Sequence, residues 1–524
     1  MPFTIHLDDP SLLLLALIVA LALLIRSGIF TAQPAAHPLV FAKQGEPSPV
    51  RKEGRSAAYR HWSGNTAIIP ASGVKGVREI VAARNGEAFS VDGKVEDVWT
   101  TAGRLVSGLR KRVPATESSS PIVTFLPTSQ KTLKASILLN LVPAHANGNG
   151  YHLVVASESK HLSEALTDAK LVFARHEDVT EVISATAIVG GCIILPSADG
   201  LTRDLRTRVE EKGWQITTLD EVVASGDGEL PSAADPSDSA QVHAIFIADG
   251  PDGKPVRRTM TNQNITAALV SLLALFPGAT RPTKRHTLLT SVDMAQPIGT
   301  AIVLLALYTG KGIRWVQSAQ SLETVVNVGR GDQCIAFLST PQLNAISEAI
   351  ASGASRHPLY SFAKRRKEAA IYEGALPRGG WLDGAVFEAN RSWVQSLTAV
   401  VLVDSVSNLH PSQLADALVH LSVPIIRTLA IPQAVGPICA THHHDLQLLA
   451  FDQKMHVGPP AACVEIELRG EETQFADSSR DPKGSMFARG PTILSDSSNS
   501  IDTEGWAALS KQAIVRSNGT FVTV

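Results

Sequence analysis

The sequence has few cysteines, little net charge and none of the best-known hydrolase or dehydrogenase motifs. Cys192, Cys334, Cys439 and Cys463 lack the spacing of a zinc site, which favours free thiols in a reducing compartment. Its 47 basic and 49 acidic residues give a net charge of -2, so nothing favours nucleic-acid binding. The absence of a G-x-S-x-G elbow, and of a complete G-x-G-x-x-G after a strand, argues against a soluble hydrolase or dehydrogenase.

What the sequence does have is length and apolar content. Its 524 residues are 44% hydrophobic, enough for two or three domains or for one large α/β body. Runs rich in β-branched residues alternate with helical patterns, which predicts parallel sheets flanked by helices. A helix is predicted over 95–109 and an exposed acidic loop over 226–241. The predicted strands are 122–126, 152–156, 187–195, 242–247, 288–294, 312–317, 334–338, 398–404 and 423–431.

An uninterrupted apolar run begins at Leu12 and ends at Ile25. A bilayer span needs roughly 20 apolar residues, so this run is short unless the side chain of Arg26 snorkels. Asp8 and Asp9 precede it and basic residues follow it, which favours an uncleaved anchor with a cytosolic body. The interpretation is an anchor in the endoplasmic reticulum or another cytosol-facing membrane. A cleaved signal peptide is the alternative.

The central feature of the sequence is the stretch 242–269, which predicts a strand, a glycine loop and a helix in that order. Gly250 and Gly253 loosen the turn, and Thr261 or Asn262 can cap the helix that follows. Such a loop offers backbone N–H groups to a phosphate. An ordinary turn of an α/β protein remains the alternative.

At these residues the chain resembles the adenylate-forming, or AMP-binding, superfamily, in particular fungal long-chain fatty acid–CoA ligases. Their ATP loop reads roughly [YF]-T-S-G-[ST]-T-G-x-P-K-G, and the matching register here is I-A-D-G-P-D-G-K-P-V-R. The extended segment 37–59 also resembles the one that follows the membrane anchor in the fungal enzymes. The resemblance implies an α/β fold of the acyl-CoA synthetase type, with layered parallel sheets, helices and a small β-rich subdomain.

The matching loop keeps its glycines but loses the side chains that would hold a triphosphate. A carboxylate about 4 Å from a phosphate costs roughly 4 kcal/mol at an effective dielectric near 20, and this loop has two carboxylates. Arg257 and Arg258 could compensate in part. The resemblance thus leaves Gly250, Gly253, Pro255 and Arg257 as candidate cofactor-binding residues of a degenerate ATP loop. The family's hydroxyls and lysine are replaced by Ala248, Asp249, Pro251, Asp252 and Val256.

Three further landmarks of the family have lost their chemical side chains. Gln296 stands where the family has a histidine, so a role in proton transfer is lost. Ile438 and Cys439 replace the threonine and glutamate that hold phosphate and Mg²⁺, for which a thiol is a poor ligand. Lys511 replaces the aspartate that accepts the ribose hydroxyls, and a lysine cannot accept hydrogen bonds. The resemblance therefore implies no catalytic residue, metal or cofactor.

The remaining landmarks specify structure. Segments 457–468 and 482–492 resemble the family's V-G-x-P and P-x-G-E-I-x-x-R-G-P stretches, which build its β-rich subdomain. The three adjacent histidines 442–444 favour a solvated turn over a metal site, since consecutive side chains diverge. The predicted organisation is an anchor (1–31), an extended arm (32–66), an α/β body (67–433) and the β-rich subdomain (434–524). The family's C-terminal domain of about 100 residues, which bears a catalytic lysine, would lie beyond Val524.

Two functions are compatible with this pattern. The first is a membrane-anchored, catalytically inactive acyl-CoA synthetase-like protein of lipid metabolism, which binds a fatty acid, acyl-CoA or an active acyl-CoA ligase. The second is an active long-chain fatty acid–CoA ligase that uses ATP and Mg²⁺ with divergent residues. Each lost phosphate or metal contact typically costs about 10²-fold in rate, so four losses favour the inactive protein.

Overall fold

A computed structural model of the chain describes most of its residues. They form two parallel sheets, one antiparallel sheet and the helices that cover them. The described residues are 9–26, 36–37, 39–64, 67–84, 87–113, 120–145, 151–167, 169–186, 188, 190–227, 237–250, 252–317, 333–388, 396–404, 409–446, 455–476, 481–497 and 501–524.

The first sheet has eight strands and carries the glycine loop. Six neighbouring strands are parallel as far as one edge of the sheet, and two further strands extend the other edge, on the side of the loop, through antiparallel pairings. In spatial order the strands are Ser495–Asp496 (β20), Pro255–Thr261 (β11), Val242–Asp249 (β10), Tyr151–Ala156 (β6), Ser120–Phe125 (β5), Leu171–Ala174 (β7), Gly191–Leu195 (β8) and Trp214–Thr218 (β9).

The second sheet also has eight strands. Its six central strands are parallel and an antiparallel strand closes each edge. In spatial order the strands are Cys439–Ala440 (β17), Ile425–Leu429 (β16), Leu397–Asp404 (β15), Gln333–Leu338 (β14), His286–Thr290 (β12), Gly312–Trp315 (β13), Phe89–Val91 (β3) and Lys94–Glu96 (β4).

The third sheet is antiparallel and joins the two ends of the chain. Two of its six strands come from the predicted arm and four from the last 60 residues or so, where alternating apolar residues pack one face. In spatial order the strands are Gly45–Arg51 (β1), Ala57–His61 (β2), Glu465–Arg469 (β18), Lys483–Arg489 (β19), Ala507–Val515 (β21) and Phe521–Thr523 (β22).

Helices cover both parallel sheets, and the largest apolar core contains side chains from the two sheets and from the helices packed on them. Across the described residues the α-helices are Asp9–Arg26 (α1), Leu39–Ala42 (α2), Val77–Ala82 (α3), Val98–Arg112 (α4), Leu133–His145 (α5), Leu162–Ala165 (α6), Val179–Ala185 (α7), Arg203–Glu211 (α8), Leu219–Ser225 (α9), Asn262–Ala274 (α10), Pro297–Thr309 (α11), Thr340–Ala354 (α12), Tyr360–Tyr372 (α13), Trp381–Val386 (α14), Pro411–Leu421 (α15) and Thr473–Ala476 (α16).

These elements confirm the predicted mixed α/β fold with parallel sheets. Helix α4 occupies the predicted helical stretch, and each predicted strand overlaps an observed one. Long apolar runs between turn-forming residues gave a clear signal for these strands because they are buried on both faces. The predicted loop 226–241 falls partly outside the described residues, as does Pro251.

Helix α1 covers the apolar run that was predicted to anchor the chain, and its leucines as far as Leu21 are exposed, Leu13 by 70%. Within the described part of the chain, no helix combines the length and apolarity that crossing a bilayer requires. The transmembrane anchor predicted between Leu12 and Ile25 is therefore not supported. The physical reason is length, since the run between Asp9 and Arg26 is shorter than the roughly 20 apolar residues of a span.

Candidate functional site

The glycine loop is the turn of a β-hairpin. Strands β10 and β11 pair in antiparallel register from Val242 to Asp249, and residues 250–254 connect them. Gly253 has a left-handed φ of 73°, a conformation that glycine adopts without strain. The hairpin therefore places the candidate residues Gly250 and Gly253 in its turn and Pro255 and Arg257 at the start of β11.

The backbone N–H groups of this turn are largely used by the turn itself. Gly250 N–H donates to the Lys254 carbonyl oxygen at 2.7 Å, and Gly253 N–H donates to the Gly250 carbonyl oxygen at 3.0 Å. Lys254 N–H donates to Asp252 Oδ1 at 3.2 Å. The carboxylate of Asp252 thus accepts a hydrogen bond that Lys254 N–H could otherwise donate to a phosphate oxygen.

Asp249, which ends β10 at the loop, is paired with the helical turn before α6. Its Oδ2 lies 2.5 Å from Lys160 Nζ and its Oδ1 lies 2.9 Å from His161 Nε2. The hydrogen bond from Lys160 is the largest cause that lowers the pKa of Asp249, and the bond from His161 adds to it. Asp249 is therefore ionised at neutral pH, and the ammonium group of Lys160 balances its charge.

The two arginines that follow the loop are committed to other groups. Arg257 Nε lies 3.5 Å from Glu164 Oε1, and an Nη of the same side chain donates to the Glu164 carbonyl oxygen at 3.4 Å. Arg258 is 1% exposed, donates to the Asp249 carbonyl oxygen at 3.2 Å and lies 3.9 Å from Asp496 Oδ2. Neither guanidinium is directed by these contacts toward a phosphate at the turn.

Helix α10 begins with a capping box that also ties the hairpin to the C-terminal part of the chain. Thr261 accepts from Asn264 N–H, and Asn264 Oδ1 accepts from Thr261 N–H. The amide nitrogen of Asn264 donates to the carbonyl oxygens of Pro491 and Ile493 at 2.8 and 3.2 Å. The sequence identified the cap but not these contacts, because their partners are more than 200 residues away.

The segment 491–496 also reaches the landmark near Cys439. Val435 N–H donates to Thr492 O at 3.0 Å and Leu494 N–H donates to Gln433 O at 2.9 Å. Since β20 pairs with β11, this one segment brings the hairpin and the 433–439 region together.

Ile438 and Cys439 are fully buried. Burial raises the pKa of the Cys439 thiol, which stays protonated at neutral pH. In the part of the chain that the structure describes, no group of three histidine, cysteine, aspartate or glutamate side chains is arranged to hold a metal ion. These two positions therefore supply no oxygen ligand for Mg²⁺.

Lys511 and Gln296 are both at least partly accessible. Lys511 lies in β21 beside Ser510, which has a left-handed φ of 52°. The resembling motif G-W-x-x-T-G-D has a glycine at the Ser510 position, so the backbone conformation fits the proposed register. Gln296 is exposed and precedes α11 without a side-chain capping bond.

A contact that sequence reasoning missed joins the two parallel sheets. Asp293 Oδ1, after β12, accepts from Thr128 N–H at 3.0 Å and from Thr128 Oγ1 at 2.8 Å, after β5. Both residues follow the carboxyl ends of parallel strands, the edge at which α/β proteins commonly bind ligands. No signal in the sequence indicated this contact, because the predicted strand 288–294 included Asp293, whereas the observed strand ends at Thr290.

Comparison with known proteins gives a likeness of fold. Neither a protein-family model nor the sequence of a characterised protein matches the chain. Among solved structures it is similar to a luciferase-like enzyme from the mealworm Zophobas morio, at 11% identity and a TM-score of 0.60 over 88% of this chain and 96% of that one. A long-chain-fatty-acid CoA ligase from Rhodopseudomonas palustris matches at 15% identity and a TM-score of 0.59, over 86% and 97% of the two chains.

A third similar structure is the anthranilate CoA ligase AuaEII in complex with anthranoyl-AMP. It matches at 12% identity and a TM-score of 0.60, over 87% of this chain and 79% of that one. Such identities carry no information on activity. The chain thus has the fold of adenylate-forming enzymes, as the resemblance predicted.

Proposed function

We propose that this chain is an adenylate-forming-ligase-like protein of fatty acid or lipid metabolism that does not activate acids with ATP. It acts by binding an acyl lipid or an active acyl-CoA ligase. The fold supports the first part of the proposal, and the state of the glycine loop supports the loss of ATP chemistry.

The loop contacts carry this proposal. A triphosphate at the turn would have to displace Asp252 from the Lys254 N–H group. It would also face the charge of Asp252 itself, whereas Lys160 balances the charge of Asp249. Like charges about 4 Å apart repel by roughly 4 kcal/mol at an effective dielectric near 20, which corresponds to about a thousandfold in affinity.

An active long-chain fatty acid–CoA ligase is the alternative, and it would require ATP and Mg²⁺. It depends on Arg257 and Arg258 as phosphate cations. Because Arg257 contacts Glu164 and Arg258 is buried against Asp496, no described contact favours it.

The direct test is fatty-acid-dependent pyrophosphate release from ATP by the purified chain. We expect none, and we expect no binding of Mg-ATP by calorimetry. Formation of acyl-CoA at an ordinary enzymatic rate of about 1 per second or more would show that the proposal is wrong.

Two substitutions of Asp252 test separately its charge and its hydrogen bond to the turn. Both should leave the fold intact, since this side chain is exposed. We expect Asp252→Ser to improve Mg-ATP affinity about tenfold or more, because it removes a repulsive charge and frees a donor. Asp252→Asn, the matched control, removes only the charge and gains less. If neither variant binds nucleotide, the loop is only a turn.

The cellular location remains a separate proposal. The exposed apolar side chains of α1 support a place at a membrane surface, such as the cytosolic face of the endoplasmic reticulum. The native sequon at Asn264 is a poor reporter, because its amide is buried in hydrogen bonds. Leu359→Asn creates Asn-Tyr-Ser at an exposed position, and its glycosylation would place the body in the lumen instead.

A further inference from the structure

A cavity of about 540 Å³ lies away from the glycine loop. It is lined by the second half of α10, by residues 61–63 and 67–70 at and after the end of β2, and by the turns 440–443 and 459–462. Its volume is typical of small-molecule sites, which run from roughly 300 to 1,000 Å³. Neither the hairpin turn nor Lys511 contributes to it, so it is distinct from the degenerate nucleotide loop.

Much of the wall is apolar. Val270, Leu273 and Phe276 contribute from α10 and the residues just after it, and Pro459 and Ala462 face them from the opposite turn. These side chains fit an aliphatic or aromatic body, whose transfer from water contributes about 25 cal/mol for each Å² of apolar surface buried.

The wall also holds buried polar atoms without partners. Gln44 is 3% exposed, and neither its amide oxygen nor its amide nitrogen has a hydrogen bond among the described residues. The same is true of the hydroxyl of Ser271, which is 0% exposed, and of Nδ1 of His443, which is 3% exposed. A buried polar group without a partner costs about 1–3 kcal/mol, so these three residues favour a ligand that both donates and accepts hydrogen bonds.

The charges of the lining favour a ligand with a single negative charge. Among the described residues that line the cavity, none is acidic, and Arg281, which is exposed, is the only lysine or arginine. Burial is the main cause that lowers the pKa of His61 and of His443 to about 4, so both rings are neutral at pH 7. The interior is thus polar but uncharged, with one cation at the rim.

We propose that this cavity binds a monocarboxylate whose apolar body ends in a hydroxyl group. The carboxylate pairs with Arg281 at the rim, and the hydroxyl meets Gln44, Ser271 and His443 inside. The order along the chain fits this orientation, since Ser271 lies within α10 and Arg281 follows its end. This inference is independent of whether the chain has lost adenylation, because the two sites share no residue.

Calorimetry on the full chain, with ω-hydroxyalkanoates from hexanoate to hexadecanoate length as probes, tests the proposal. At the best length we expect saturable binding, and we expect the unsubstituted acid and the matched alkan-1-ol to bind at least about tenfold more weakly. Absence of saturable binding by every acid in the series overturns the proposal. If the ω-hydroxyalkanoate and the matched alkan-1-ol bind with equal affinity, the assignment of the carboxylate to Arg281 is wrong.

Four variants localise the site. Gly278 lines the cavity and a Cβ built there meets no atom within 4 Å, so Gly278→Trp should fold and abolish binding. Arg281→Ala should weaken the binding of the hydroxylated acid and of the unsubstituted acid by about tenfold each. Arg285→Ala is the control: it removes an exposed cation outside the lining and should change neither affinity. Ser271→Ala should remove the advantage of the hydroxylated acid without lowering stability. Unchanged binding by Gly278→Trp would place the ligand elsewhere.

Discussion

At the scale of single residues, the changed positions of the glycine loop are integrated into the fold. Asp249 is held by Lys160 and His161, and Asp252 accepts from its own turn. The sequence predicted which side chains the loop lacks, because a motif is local. It could not predict their contacts, since Lys160 and Glu164 lie about 90 residues before their partners.

Ser510 provides a residue-scale prediction. Its left-handed φ of 52° strains an L-residue by roughly 1–2 kcal/mol, and glycine adopts this conformation without strain. We expect Ser510→Gly to raise the free energy of unfolding by up to about 1 kcal/mol, measured by urea denaturation. Gln512→Gly, an exposed position two residues further along the same strand, is the control and should destabilise. A loss of stability in Ser510→Gly would contradict the strain argument.

At the scale of elements, strands of the two parallel sheets were predictable where a long apolar run is bounded by turns. Strand β14 is an example, found at Gln333–Leu338 against a prediction of 334–338. Strand β7 was missed because its four residues, LVFA, do not distinguish a strand from a helix. Strand β1 contains Pro47 and Pro49, and its place at the edge of the third sheet, paired only with β2, explains how the sheet tolerates them.

Asn264 links two elements, and its removal is the second prediction. Asn264→Ala removes the half of the capping box in which Asn264 Oδ1 accepts from Thr261 N–H, and it removes the two bonds to the carbonyl oxygens of Pro491 and Ile493. We expect a loss of about 2–4 kcal/mol in the free energy of unfolding by urea. Thr202→Ala removes only the cap of α8 and should cost about 1 kcal/mol. Equal losses would show that the link contributes nothing.

At the scale of the whole molecule, the third sheet and the cavity depend on contacts between the two ends of the sequence. Strand β2, the partner of β1, also pairs with β18, which begins at Glu465, and the cavity combines three segments far apart in the chain. Local patterns carry no information on such pairings. The fold class was therefore accessible from the sequence, whereas the cavity was not.

Buried histidines distributed over the whole molecule give the last prediction, which concerns acid. Burial is the main cause that lowers the pKa of each from 6.5 to about 4. The unfolded chain therefore binds more protons than the folded one between these values, so stability is complete above pH 6.5 and falls as the pH drops toward 4. Each unit of pKa difference corresponds to about 1.4 kcal/mol. Four of the five residues are buried, His145, His243, His420 and His443, and the fifth, His61, is partly buried.

The measurement is the midpoint of urea unfolding, followed from pH 7.5 to pH 4.5 in steps of about half a unit, a window that spans most of the proton uptake. His243→Leu is the matched variant, because His243 is 2% exposed and burial is the only cause of its lowered pKa. The substitution removes one group that takes up a proton on unfolding. The free energy of unfolding of the variant should therefore fall less steeply as the pH drops, by an amount that corresponds to about one proton. The curves of the variant and of the unchanged protein should differ most at the acidic end. Parallel curves would mean that His243 binds its proton equally in both states, and the argument from burial would then fail.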